Sequence, residues 1–246
     1  MRLKFLRYLS YIFFFAALPA AVYGQSTLLL AGSSTWVGIR GGANIAGEAF
    51  DSLPYNSSSS LRIGAIGGVT FEHWFNGTWA VSTGLLFDQK GINELYSSAA
   101  ANRQGPNGTI YSGTDDFSMN YLEIPILLKY ALGIGTVRPY LCAGPSIGSL
   151  LQESETASGT LAPISNLKSY LQTTDLSIYG GLGFMDEIPH GPMLLFEAGY
   201  AVGITKIFKS SPARTATDGI AFPDPINPAT AKSGDIRVTI GAMWKL

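Results

Sequence analysis

Cysteine is nearly missing from this chain, with Cys142 alone in 246 residues. A single cysteine excludes an internal disulfide framework, and neither CxxC nor a Cys/His metal spacing is present. Cys142 is expected as a small buried side chain. Charge is also scarce: Asp, Glu, Lys and Arg make up 13% of the residues, and no cluster of Lys and Arg occurs. That argues against nucleic-acid binding, which needs clustered cations to neutralise phosphates. Beyond residue 24 no run approaches the roughly 18 apolar residues of a transmembrane helix. Yet 46% of the chain is hydrophobic and 12% aromatic. Transmembrane strands resolve the conflict, because their lipid face uses only alternate residues.

The N-terminus carries an export signal. Arg2, Lys4 and Arg7 precede an apolar run from Tyr8 to Ala21, and Val22 and Gly24 supply small cleavage positions. Residues 1–24 are therefore expected as a cleaved signal peptide, 25–34 as a periplasmic segment and 35–246 as the folded domain. Gln25 is not a cysteine, so a lipoprotein anchor is not expected. Removing three cations and no acids moves the formal net charge from −1 to −4.

Period-2 patterning marks eight segments: 35–44, 61–73, 79–90, 118–130, 137–148, 174–185, 192–204 and 234–246. Each is at least about the 9 to 11 residues that a tilted strand needs to cross a bilayer. In the last, Ile236, Val238, Ile240, Ala242, Trp244 and Leu246 alternate with Asp235, Arg237, Thr239, Gly241, Met243 and Lys245. One face suits lipid and the other a polar interior. Pro125, Pro139 and Pro145 resist, since each lacks an N–H inside a closed sheet. Bulges are the expected remedy.

Connections alternate in length. Short turns lie at 75–78, where Asn76-Gly77 predicts a hairpin with φ > 0 at both residues, and near 132–136 and 186–191. Long ones, rich in Ser, Thr, Asn, Gly and Pro, span 45–60, 91–117, 149–173 and 205–233. The pattern describes an all-β, eight-stranded antiparallel up-and-down barrel with short periplasmic turns and long extracellular loops. Both termini of the mature chain then lie in the periplasm of a Gram-negative envelope. Trp36, Trp74, Trp79 and Trp244 all fall at the turn end, as an aromatic belt at the periplasmic interface would.

The same alternation turns Arg40, Arg62, Lys90, Lys129, Arg138, Arg237 and Lys245 inward with Glu72, Asp88, Glu123, Asp175, Glu197 and Asp235. Eight strands leave room only for side chains or a small ligand, so these ions must pair. A closed polar core is the preferred reading and a narrow solute channel the alternative. Catalysis ranks last, because His73 and His190 sit at the turn end and cannot serve a site on the outer rim. Asp115 and Asp116, with Asp218 and Asp224, read as solvated loop charges without metal-loop spacing. No catalytic, cofactor or metal residue is expected. The loops are the place for a partner, either an envelope protein or surface glycan.

Several phrases, VGIRGGANIAG (37–47), GGVTFEHWFNGTWAVSTGLLFDQKGI (67–92), MNYLEIPILLKY (119–130), RPYLCAGPSIGSLL (138–151) and RVTIGAMWKL (237–246), resemble the PorT-like family of outer-membrane β-barrels. The resemblance spans nearly all of the chain after residue 24. It implies insertion by the barrel-assembly machinery into the lipid and lipopolysaccharide of the outer membrane, with Ile240, Trp244 and Leu246 as the C-terminal signal. The family usually ends in Phe, whereas this chain ends in Leu246. One member class serves a protein secretion system, but fold alone fixes no task. A non-enzymatic structural or accessory component of the envelope is the expectation.

Overall fold

The computed structural model describes residues 33–49, 58–97, 112–133, 135–160, 162, 164, 166–210, 213–215, 221–223 and 232–246. The proposed signal peptide and most of the segment 25–34 lie outside these residues. The barrel strands are β1 (Ser34–Ala49), β2 (Ser58–Trp74), β3 (Trp79–Ser97), β4 (Ser112–Ala131), β5 (Val137–Ala157), β6 (Thr174–Glu187) and β7 (Met193–Lys206). A small hairpin of β8 (Ala213–Thr215) and β9 (Ala221–Pro223) precedes the last barrel strand, β10 (Lys232–Lys245). The order β1-β10-β7-β6-β5-β4-β3-β2 closes on itself, each neighbour antiparallel. Eight strands in that ring bear out the expected architecture, and closure leaves no sheet edge within the barrel wall.

Alternation decides which face each residue takes. On β4, Ile124, Ile126, Leu128 and Tyr130 are exposed while Glu123, Leu127 and Lys129 are buried. On β10, Ile240 and Trp244 face out while Asp235, Arg237 and Met243 are buried. The exposed apolar side chains form the lipid band that a membrane barrel requires.

Three features of the chain depart from the expected course. First, β3, β4 and β5 run 19, 20 and 21 residues, so much of 91–117 and 149–157 is strand rather than loop. Because β5 pairs with β6 only as far as Ser149, the loop-side ends of the three strands project past β6, flanked by β2 out to its pairing of Ser58 with Leu95. Second, the prolines sit in register without bulges. Pro125 stays opposite Ser146, Pro139 opposite Phe184 and Pro145 opposite Ile178. The register shifts fall elsewhere, between Leu61 and Ile66, Asn120 and Tyr121, and Lys232 and Gly234. Third, Asn76 and Gly77 are absent from the positive-φ residues. The Asn76 side-chain oxygen instead accepts the N–H groups of Thr78 and Trp79, each at 2.8 Å. A side-chain turn of this kind needs no left-handed backbone.

Candidate functional site

The barrel interior is a stack of three zones. At the turn end, Trp36, Trp74, Ala131, Met185, Met193 and Met243 form part of a buried apolar layer. Trp36 and Trp74 are only 3% and 1% exposed, which corrects their place in the expected belt. Their indole N–H groups explain the choice, because each has a buried acceptor: Ser34 Oγ at 3.1 Å for Trp36 and Glu72 Oε1 at 2.7 Å for Trp74. Trp79 and Trp244 are exposed on the outer surface, and the Trp79 ring meets that of Tyr130 at a tilt, centroids 4.6 Å apart.

The middle zone holds the ions in two linked groups. Nearer the turns, Lys129 Nζ lies 2.8 Å from Glu72 Oε2 and 3.6 Å from Glu197 Oε2, and Arg40 lies 3.2 Å from Glu197 Oε1. Tyr140 and Tyr179 also donate to Glu197, at 2.9 and 3.1 Å. Nearer the loops, Arg237 meets both oxygens of Glu123, and lies 2.8 Å from Asp235 and 3.1 Å from Asp88. Lys90 lies 2.7 Å from Asp175, 3.5 Å from Glu123, 3.6 Å from Asp235 and 3.7 Å from Asp88. Asn44, Ser146 and Thr205 donate to Asp88, Glu123 and Asp175 respectively. Tyr179 joins the groups, its hydroxyl on Glu197 and its ring 5.7 Å from the Arg237 guanidinium carbon.

Most of the predicted interior charges therefore converge, but Lys245, Arg62 and Arg138 stand outside the two groups. Lys245 has the inward parity yet is exposed at the strand end, 6.0 Å from the Trp36 ring. Arg62 is part-exposed near the loop end, where it pairs with Asp116 and donates to the carbonyl of Phe117. Removing both from the expected set leaves five cations and six carboxylates inside. Arg138 stays buried, donating to the carbonyl of Gly77 at 3.1 Å, with its guanidinium 5.4 Å from the Trp74 ring. Asp115 is also buried, contrary to the solvated loop charge expected of it.

The third zone was not foreseen. In the connection after β5, Ile164, Leu167 and Leu171 pack with Phe117, Met119, Leu150, Ile207 and Phe208 over the loop end. A short 3-10 helix, Leu167–Ser169, turns the chain there, and Leu171 bridges to Phe208. Under this cap lies a cavity of about 10 Å³ beside Lys90, Asp175 and Asp235, room for about one water. A broader depression of about 820 Å³ lies where Gly41, Gly241 and Ala242 sit between Ile39, Leu194 and Ile240. Its exposed isoleucine and leucine rim places it on the outer face.

Tyr140 and Tyr179 were the interior residues that patterning missed. Their sign in the sequence is the glycine run of β6 and β7: a Cβ at Gly183 would strike the Tyr140 ring, and one at Gly199 the Tyr179 ring. His73 shares a hydrogen bond of 2.9 Å with Thr35 Oγ1 and meets Phe75 edge-on, while His190 is exposed in a turn at φ 59. Among the described residues no group of three or more His, Cys, Asp or Glu side chains is arranged to hold a metal ion.

No curated protein matches the sequence. Among solved structures, the outer membrane protein OprG from Pseudomonas aeruginosa is similar at 14% identity, covering 88% of this chain and 99% of its own, with a TM-score of 0.46. AlkL, determined by solid-state NMR in DMPC bilayers, is similar at 12% identity over 91% of this chain and 95% of its own, TM-score 0.48. Outer Membrane Protein W of E. coli is similar at 12% identity over 88% of this chain and all of its own, TM-score 0.37. The family described as the outer membrane protein beta-barrel domain matches residues 25–209. The chain belongs to that family, and it is an outer-membrane β-barrel protein.

Proposed function

We propose that this protein is a non-enzymatic structural or accessory component of the outer membrane, with a permanently closed polar core. One observation carries the reading: the ion network is covered at the turn end by Trp36, Trp74 and three methionines, and at the loop end by the Phe117–Phe208 cluster. Opening a path would strip partners from buried ions at a cost of several kcal/mol each. Narrow eight-stranded barrels are filled by side chains, whereas water-filled channels belong to wider ones. The reading keeps His73 and His190 out of any catalytic role, since each has an ordinary turn-end setting.

In this reading residues 1–24 are the export signal, both mature termini are periplasmic and the long connections face outward. Ile240, Trp244 and Leu246, all exposed on the outer face, serve recognition by the assembly machinery, and the finer kinship is PorT-like. Partners would engage the loop end or the periplasmic rim. Liposomes carrying the full mature barrel test the closed core through swelling in isotonic arabinose. No swelling above that of empty liposomes is expected; swelling that scales with protein content would support the narrow-channel alternative.

A further inference from the structure

On β7 the outward face runs through Leu194, Phe196, Tyr200, Val202 and Ile204, all exposed. From Leu194 to Ile204 is ten residue steps, about 33 Å along a strand and about 25 Å along the membrane normal at a tilt near 40°. That is the height of an outer-membrane apolar band. The next residue on the same face is Lys206, which is exposed, and its cross-strand partner on β10 is Lys232, exposed as well. The register shift beside this pair keeps the face: from Gly234 opposite Val202 to Lys232 opposite Lys206, β10 moves by two residues and β7 by four, both even. Two ammonium groups therefore stand side by side on the outer surface where the apolar band ends.

Like charges directly opposite one another destabilise an antiparallel pair. Among the described residues neither lysine has a carboxylate within ion-pair distance. Lys206 also borders the small cavity under the cap, but the cation that pairs with Asp175 and Asp235 there is Lys90. Lys168 and Lys209 are exposed on the cap above the row, where the Lys209 N–H donates to the Tyr170 carbonyl at 2.7 Å, so the corner is positive as a whole. Lysine stems lie along apolar surface such as Val202 and Ile204 while the ammonium reaches the headgroups. What an ammonium pair at that height meets is lipid phosphate, for which lysine serves as a point charge. A phosphomonoester carries about −1.5 to −2 near neutral pH, enough to neutralise both lysines, whereas a phosphodiester neutralises one. The leaflet on the loop side supplies such monoesters in the lipid A of lipopolysaccharide.

We infer that Lys206 and Lys232 together clamp a phosphomonoester of lipid A in the leaflet on the loop side. The inference rests on the loop end facing outward, as proposed above, and deepens that reading by giving one partner its chemistry and its place. The test offers the full mature barrel in detergent equal amounts of lipid A, the same lipid A stripped of its phosphates, and phosphatidylglycerol as the diester, with bound lipid counted by native mass spectrometry. A lysine near a membrane surface is worth about fivefold in binding an anionic lipid, so phosphorylated lipid A is expected to be retained about 25-fold over the stripped form. It should also outcompete phosphatidylglycerol. Lys206→Gln with Lys232→Gln should remove most of the preference, while Lys206→Arg with Lys232→Arg keeps it. Lys245→Gln, at the turn end beside Trp36, should leave it unchanged. Heat-shifted gel mobility verifies folding, and either single glutamine variant, expected to lose about fivefold, replaces a double variant that fails to fold. The inference is overturned by a wild-type ratio near one, by a ratio unmoved by the double glutamine change or lowered equally by Lys245→Gln, or by equal retention of phosphatidylglycerol. Orientation is checked separately with a membrane-impermeant maleimide on Ser154→Cys in intact cells, because Ser154 is exposed and Cys142 is buried. Labelling is expected; its failure overturns the outward placement and this inference together, whereas a labelled barrel without phosphate preference overturns the inference alone.

Discussion

Arg237 is the residue on which the loop-side ions depend, since it touches Glu123, Asp235 and Asp88 while only 4% exposed. Arg237→Leu leaves those carboxylates facing one another with Lys90 alone, and removing one partner of a buried ion pair typically costs about 3–5 kcal/mol. Urea unfolding in lipid vesicles should record that loss. Adding Glu123→Leu should restore part of it, because the second change removes one of the three stranded carboxylates while Asp235 and Asp88 keep Lys90. The Gly199 site makes a steric prediction of the same scale. Gly199→Val drives a side chain into the Tyr179 ring, and overpacking of this kind costs about 1–3 kcal/mol. Tyr179→Ala in the same chain should relieve only the ring part of the clash, because the Gly180 carbonyl oxygen still lies 2.6 Å from the new Cβ and Glu197 loses a donor.

Strand ends and connections are where tryptophan and loop packing can be tested. Single-tryptophan variants in vesicles with brominated acyl chains should show Trp79 and Trp244 quenched, while Trp36 and Trp74 stay bright. Equal quenching of all four would contradict the inward placement of two. Leu171→Asp buries an acid in the apolar cap and should make the β5–β6 connection protease-sensitive while the barrel keeps its heat-shifted mobility. What was legible in the sequence follows from these same elements. Alternation in β4 and β10 told lipid face from core, because that face meets a uniform solvent for many residues. At the ends the environment changes within one residue, so parity and composition pull apart: Trp36 has the parity of Arg40 and a partner in Ser34, although its type suits an interface. Polar composition also hid the cap, whose Leu167, Leu171 and Phe208 are scattered among Ser, Thr and Lys without any period. The prolines misled for a different reason, since the ladder tolerates a missing donor without changing register.

The molecule as a whole is a membrane barrel whose interior is filled twice over, with ions in the middle and apolar layers at both ends. Neither layer alone explains closure. An ion network by itself admits water, and an apolar layer by itself would leave the charges below it facing a wet lumen from the other side. Together they shield the pairs at both ends, which strengthens each Coulomb interaction. The most direct measurement is current through planar bilayers containing the full mature barrel in molar salt. The account predicts no steady ohmic current from the wild type, and discrete conducting steps only when both layers are thinned, as in Trp74→Ala with Phe208→Ala. Stable ohmic steps from the wild-type protein would contradict it.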